Sequence, residues 1–270
     1  MAAPIIALLT DFGLRDAFVG VLRGVILGIA PDARLVDITH DTPPQDIATG
    51  AWTLATAWRF FPEGSIFLCV VDPGVGSARL PIALRAGKYY FVGPDNGLCT
   101  PMLTTGEPIT AVALTEPRYQ RPNPAPTFHG RDIFAPAAAH LAAGVPLQSL
   151  GSALAPDRLI TLPFPQPSWE GGALRGELLH VDHYGNLITS IGGDLAAAVL
   201  ASPASTLTIA GHGITARGRS FAEGASGQPM LYLDSSGYLA IAVRDASAAA
   251  LLSAKRGDPV RVEGVSHAAS

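Results

Sequence analysis

The chain has 270 residues, of which 48% are apolar and only 15% charged, with a formal net charge of −4. That balance supports a sizeable core in one large domain or two smaller ones, and it excludes a disordered chain. No clustered run of Lys and Arg is present, which excludes a nucleic-acid surface, and no apolar run nears the ~20 residues that span a bilayer.

Ile5 to Thr10 reads as a short buried strand that ends at Asp11-Phe12-Gly13. Asp16 is placed to cap a helix over residues 17–30, with Phe18, Leu22, Val25, Ile26 and Ile29 as its apolar face. Gly20, Gly24 and Gly28 repeat every four residues on that helix. Each weakens it relative to Ala, so the pattern predicts close approach of this stripe to a sheet. A strand over 34–39 and a helix over 46–60 follow, with Trp52 and Trp58 expected in the core. Ile66 to Val71 is the most apolar stretch and suits a strand buried on both faces. It stops at Asp72-Pro73-Gly74, so a carboxylate stands where a buried strand ends, the place where open α/β sheets bind ligands. Residues 80–86 and 89–92 form a strand pair about Gly87-Lys88, and 109–114 is a further strand. A proline-rich loop over 117–126 leads to Thr127-Phe128-His129-Gly130-Arg131-Asp132, then to an Ala-rich helix over 133–143 for which Asp132 is the expected N-cap.

Strand and helix alternate up to this point, which predicts an α/β domain over 1–162 with a largely parallel sheet. Residues 163–172 are rich in Pro and Gly and read as a linker. Beyond it, strands predominate: 174–181, 187–191, 207–209, 230–233, 238–243 and 259–262. Residues 173–270 therefore form a smaller, β-rich domain. Cys69 and Cys99 lack metal-ligand spacing, and the N-terminal stretch has no positive region ahead of its apolar residues. A reduced, cytoplasmic location is the expectation.

Asp11, Asp72, Arg79 and His129 are polar groups at or near strand ends or in loops of the α/β domain. Arg79 lies seven residues past Asp72 across a glycine-bearing loop, short enough to fold back into an Asp–Arg pair. The DFG triplet at 11–13 lacks the other protein-kinase motifs, and neither a G-x-S-x-G elbow nor a Rossmann G-x-G-x-x-G is present. His129, Asp132 and His140, or Asp11 and Asp16, offer metal-ligating atoms, but no HExxH or paired CxxC organises them. No metal is expected.

Six blocks, TDFGLRDAFVG, VVDPGVGSAR, FVGPDNG, TFHGRDIFAP, VDHYGNLITSI and DSSGYLAIAV, occur in order. Together they resemble the S-adenosylmethionine (SAM) hydroxide adenosyltransferase family, the adenosine-forming SAM hydrolases related to the fluorinase and chlorinase. The resemblance implies an α/β N-terminal domain, a β-barrel-like C-terminal domain and a homotrimer. In that assembly the substrate lies between the first domain of one subunit and the second domain of its neighbour. It implies hydrolysis of SAM to adenosine and L-methionine with no cofactor, SAM being the substrate.

The family's Asp-Arg-His set falls on Asp72, Arg79 and His129. Asp11 resembles the carboxylate that holds the ribose hydroxyls, and Asn186 the side chain that reads adenine. Asp182 and Ser235 would hold the methionine amino group, and backbone from Val243 to Asp245 would meet adenine. Gly130 replaces a halide-contacting serine of the fluorinase, Asp72 an aromatic residue, and Gln45 a Trp over the sugar, which favours water as nucleophile. Ser236 replaces an arginine. A halogenase of the same family, a metal-dependent nucleotide hydrolase and a non-catalytic SAM- or adenosine-binding protein are the alternatives.

Overall fold

The computed structural model describes residues 3–266. The chain divides into two compact units after Leu162.

In the first unit, β1 (Ile5–Thr10), α1 (Phe18–Ile29), β2 (Arg34–Thr39), α2 (Ile47–Ala57) and β3 (Ile66–Val70) alternate. They are followed by β4 (Pro81–Ala86), β5 (Tyr89–Pro94), α3 (Thr100–Leu103), β6 (Ile109–Ala113), α4 (Ala135–Ala142) and β7 (Ser152–Leu154). The sheet order is β2-β1-β3-β5-β4-β6-β7. The β2-β1-β3-β5 side is parallel, and the strands from β5 outward are antiparallel. All five residues of β3 are buried, as a strand covered on both faces requires. Burying each of its large apolar side chains contributes roughly 1.5–3 kcal/mol. One cluster joins Ile6, Leu8, Leu68 and Val70 of the sheet to Leu22 and Ile26 of α1 and to Phe134 and the alanines of α4. Trp52 and Trp58 are buried, as expected.

Three expectations for this unit are corrected. Asp16 does not cap α1; Ala17 stands at the N-cap and no side chain bonds there. The α1 glycines do not approach the sheet, since a Cβ at Gly20, Gly24 or Gly28 would meet nothing within 4 Å. The buried face runs instead through Val19, Leu22 and Ile26, and Phe18 is half-exposed. Asp132 is not an N-cap. It sits buried inside a wide turn, Gly130–Phe134, in which the N–H of Ala135 bonds back five residues to Gly130. Two groups act together: Pro136 has no N–H for the carbonyl of Asp132, and the backbone N–H of Arg121 takes that carbonyl at 2.9 Å.

In the second unit, β8 (Ser168–Glu170) lies within the Pro/Gly-rich stretch and pairs with β9 (Ala173–Val181). Then come β10 (Leu187–Gly192), α5 (Gly193–Ala201), β11 (Thr206–Ile209) and β12 (His212–Ile214). The last elements are β13 (Pro229–Leu233), β14 (Tyr238–Val243), α6 (Ala248–Leu252) and β15 (Pro259–Glu263). The sheet is antiparallel throughout, ordered β12-β11-β15-β9-β10-β14-β13 with β8 beside β9. Its ends nearly meet. Leu231 of β13 donates its N–H to Ala216 just past β12 at 2.8 Å, and its carbonyl accepts from Gly218 at 3.0 Å. The result is a barrel-like sheet around its own core of Leu174, Leu187, Ile191, Leu231, Ile241 and Val262.

Candidate active site

The parallel register sets up the candidate site of the first unit. Thr10 pairs with Val70, so the chain leaves β1 at Asp11 and β3 at Asp72 on neighbouring strand ends. Beyond Asp72 the chain turns tightly, with the N–H of Val75 bonded to the carbonyl of Asp72. Gly76 has φ +78°, and a Cβ there would lie 2.7 Å from the carbonyl oxygen of Pro126. Only glycine permits that approach, which docks the 72–79 loop on the proline-rich loop preceding His129.

Arg79 folds back as its spacing allows. Its Nε donates to Asp72 Oδ1 at 2.9 Å and its Nη2 to Asp72 Oδ2. Nη2 also lies 2.8 Å from His129 Nδ1. The guanidinium rests over the Phe134 ring, 5.2 Å from its centroid. The side chains of Asp72 and Arg79 are only 6% and 8% exposed. Arg79 Nη1 is buried and has no protein partner among the described residues. A forked guanidinium gripped on one edge thus presents its free edge as a donor.

Burial and the adjacent Arg79 cation lower the pKa of His129 below the ordinary 6.5, against the pull of Asp72 and Asp132. The neutral ring accepts from Arg79 at Nδ1, so its proton resides on Nε2. Asp132 steadies the loop behind it, accepting from Arg131 Nε and Nη2 at 2.7 Å each and from the N–H of Ala125 at 2.9 Å. Its own pKa is lowered chiefly by the Arg131 bonds. At Gly130, a Cβ would stand 3.3 Å from the Phe12 ring and 3.4 Å from that of Phe128. A serine would press on these rings, which pack edge to face with each other and with Phe18.

Asp11 accepts the N–H of Gln45 at Oδ2, 2.8 Å away, and Gln45 is held at φ 67°. Asn96, in the turn after β5, donates Nδ2 to the carbonyl of Val71 at 2.8 Å and so fixes the peptide leading into Asp72. Burial pushes the Cys99 thiol up to about 12 and raises that of Cys69, so neither supplies a thiolate at neutral pH. Among the described residues no group of three or more His, Cys, Asp and Glu side chains is gathered for a metal ion.

In the second unit, the turn between β9 and β10 brings Asp182 and Asn186 together. Asp182 Oδ1 accepts the N–H groups of Tyr184 and Asn186 at 2.9 and 2.8 Å, and Oδ2 accepts Asn186 Nδ2 at 2.7 Å. Asn186 is buried, and Gly185 before it has φ +81°. A cavity of about 660 Å³ is lined by Asn186, Val243, Arg244, Asp245, Ala246, Tyr184, Phe221 and Ala222. Asn186, Val243 and Asp245 are thus brought to one cavity. Asp245 is at φ 65° and accepts from Ser226 Oγ at 3.0 Å. Ser235 lies apart, exposed on the turn between β13 and β14. Two cavity rings were missed at the level of sequence. Tyr184 sits 77% exposed and Phe221 52%, although neither belongs on a water-facing turn by hydrophobicity. Their exposure appears only in the fold, so the sequence carried no signal for either ring.

Two family models match the chain: the SAM hydroxide adenosyltransferase N-terminal domain over residues 6–151, and the C-terminal domain of that name over 176–261. The chain belongs to the SAM hydroxide adenosyltransferase family. A protein of Salinispora arenicola (strain CNS-205) named (R)-S-adenosyl-L-methionine hydrolase is 42% identical over 97% of this chain and 98% of its own. One of that name from Thermus thermophilus is 41% identical over 94% and 97%. A fluorinase from an Actinoplanes species is 33% identical over 96% and 97%. Among solved structures, an uncharacterized conserved protein from Thermotoga maritima superposes with a TM-score of 0.88 at 34% identity, covering 96% of this chain and 99% of its own.

Proposed function

We propose that this chain is a SAM hydrolase that forms adenosine and L-methionine, with Asp72, Arg79 and His129 at the nucleophile end. The observation that carries this reading is the Arg79 guanidinium, gripped by Asp72 and His129, with Nη1 buried and unpartnered. Such a group holds a water or hydroxide oxygen by charge-assisted bonds.

Water attacks C5′ in line with the C5′–S bond, and the bonding pair departs on sulfur as a neutral thioether. The leaving group needs no acid. The nucleophile needs placement and a proton acceptor. In this reading His129 Nδ1 is occupied by Arg79, so Nε2–H orients the water and the proton passes to an Asp72 oxygen, whose second lone pairs remain available. Asp11 takes the ribose hydroxyls and Asn186 the adenine edge, with Val243 and Asp245 beside it. Asp182 and Ser235 take the methionine amino group, although Asp182 already spends most of its acceptor capacity on its own turn. The names of the 42% and 41% identical relatives support the (R) sulfur epimer as substrate. A homotrimer belongs to the same proposal, tested by light scattering on the purified chain.

The test incubates chelator-treated protein with each SAM epimer, with and without chloride, and separates the products by chromatography. Adenosine and methionine in equal amounts, unaffected by chelator or chloride, are expected. A 5′-chloro nucleoside, metal-dependent turnover, or binding without turnover would each overturn the reading.

A further inference from the structure

A chain of buried polar groups beneath the Asp11 turn has no part in the steps above. Thr10 is fully buried, and its Oγ1 lies 2.7 Å from His40 Nδ1. The other ring nitrogen, Nε2, lies 3.1 Å from Asp37 Oδ1, an ion-pair contact off the line of a hydrogen bond, and Asp37 is paired with Arg23. A carboxylate only accepts, so the tautomer with its proton on Nε2 fits this setting, and in it Nδ1 accepts from Thr10. With its proton so committed, Thr10 Oγ1 accepts the N–H of Phe12 at 3.3 Å. The two hydrogen bonds then run the same way, from Phe12 to Thr10 and from Thr10 to His40, and bonds so aligned polarise one another, with the Asp37 carboxylate beside the far ring nitrogen. The backbone of His40 adds a second tie, accepting the N–H of Gly13 at 2.8 Å. His40 thus holds the backbone on the C-terminal side of Asp11, through Phe12 and Gly13. The Asp11 carboxylate itself is met by the N–H of Gln45.

We propose that the Thr10–His40–Asp37 chain is a positioning device that sets the Asp11 carboxylate for a vicinal diol, making the site selective for ribonucleosides over 2′-deoxyribonucleosides. This rests on the assignment of Asp11 to the ribose hydroxyls. The physical reason is reach. A carboxylate bridges two neighbouring hydroxyls only in one orientation, whereas a single hydroxyl tolerates several, so loosening the turn weakens the diol more than the 2′-deoxy sugar.

Calorimetric titration of the full chain with adenosine and with 2′-deoxyadenosine tests it. Thr10→Val is expected to weaken adenosine binding about tenfold, the upper end for one hydrogen bond, and to change 2′-deoxyadenosine binding by less than about twofold. Thr10→Ser, which keeps the hydroxyl, is expected to retain the wild-type ratio, which a purely packing role for the threonine would not predict. Asp37→Asn, at a half-exposed position, supplies a second variant should Thr10→Val fail to fold, with a loss of selectivity of roughly twofold to threefold. Asp11→Asn is the reference and should abolish the preference. Unchanged selectivity in Thr10→Val and Asp37→Asn, with selectivity lost in Asp11→Asn, overturns the positioning chain alone. Unchanged selectivity in Asp11→Asn, or no adenosine binding by the wild type, overturns the Asp11 assignment and the positioning chain with it.

Discussion

Arg79 shows how one residue ties stability to chemistry. Its pair with Asp72 is nearly buried and bidentate, so removing the cation leaves a buried carboxylate without its partner. Breaking a buried pair from one side costs about 3–5 kcal/mol. Arg79→Met should therefore lower the melting temperature clearly and remove turnover together, read by thermal denaturation and product assay. Asp72→Ala or His129→Ala should lower turnover by roughly 10²-fold or more, the range of positioned acid–base groups; near-wild-type rates in both would defeat the assignment. The depressed pKa of His129 gives a pH dependence with a definite sign. Between its folded value and the ordinary 6.5 the unfolded chain binds more protons, so stability rises with pH there. The contribution of His129 is complete above 6.5 and is lost as pH falls through the folded value. Protonation also places a cation against Arg79 and removes the Nδ1 acceptor, so kcat should fall on the same acid side. In His129→Asn that acid limb should vanish, which a pH series of kcat and of melting temperature would reveal.

At the scale of elements, close backbone approaches decide what the strands and turns can tolerate. A Cβ on Gly93 of β5 would lie 2.3 Å from the carbonyl oxygen of Cys69 in β3. Gly93→Ala should force β5 from β3, costing at least the 1–3 kcal/mol typical of overpacking, and should yield little soluble, folded chain. In the second unit, a Cβ on Gly185 would lie 2.0 Å from Ser247 Oγ at a left-handed φ. Gly185→Ala should displace Asn186 from its cavity and raise KM for SAM more than it lowers kcat. Much at this scale was legible in the sequence. The strands at 5–10 and 238–243 stand where their apolar runs lie, because burial of such runs leaves few other choices, and the strand at 34–39 stands where expected as a largely exposed edge. The glycines of α1 were misread because periodicity says which residues share a face and not which face is covered. The Asp132 turn was misread because Pro136 and the distant N–H of Arg121 act together to widen it.

At the scale of the whole molecule, two units each close their own apolar core, one under a mixed sheet and one inside a barrel-like sheet. Residues 163–270 expressed alone should therefore fold cooperatively with a β-type circular dichroism spectrum while hydrolysing no SAM. A molten chain would show that the second core is insufficient by itself. Among the described residues no helix is long and apolar enough to cross a membrane.

The sequence by itself determined the buried strands, the punctuation at Asp11 and Asp72, the seven-residue return to Arg79 and the family to which the chain belongs. These are local or composition-bound features, set by side-chain chemistry within a few residues. Only the tertiary structure decided that Asp72 and His129 share one guanidinium, that Asn186, Val243 and Asp245 line one cavity, and that His40 stands under Thr10. Each of these joins groups that are distant along the chain: 50 residues separate Arg79 from His129 and 30 separate Thr10 from His40. Such pairings are fixed by strand order and loop docking, for which no short stretch of sequence carries the information.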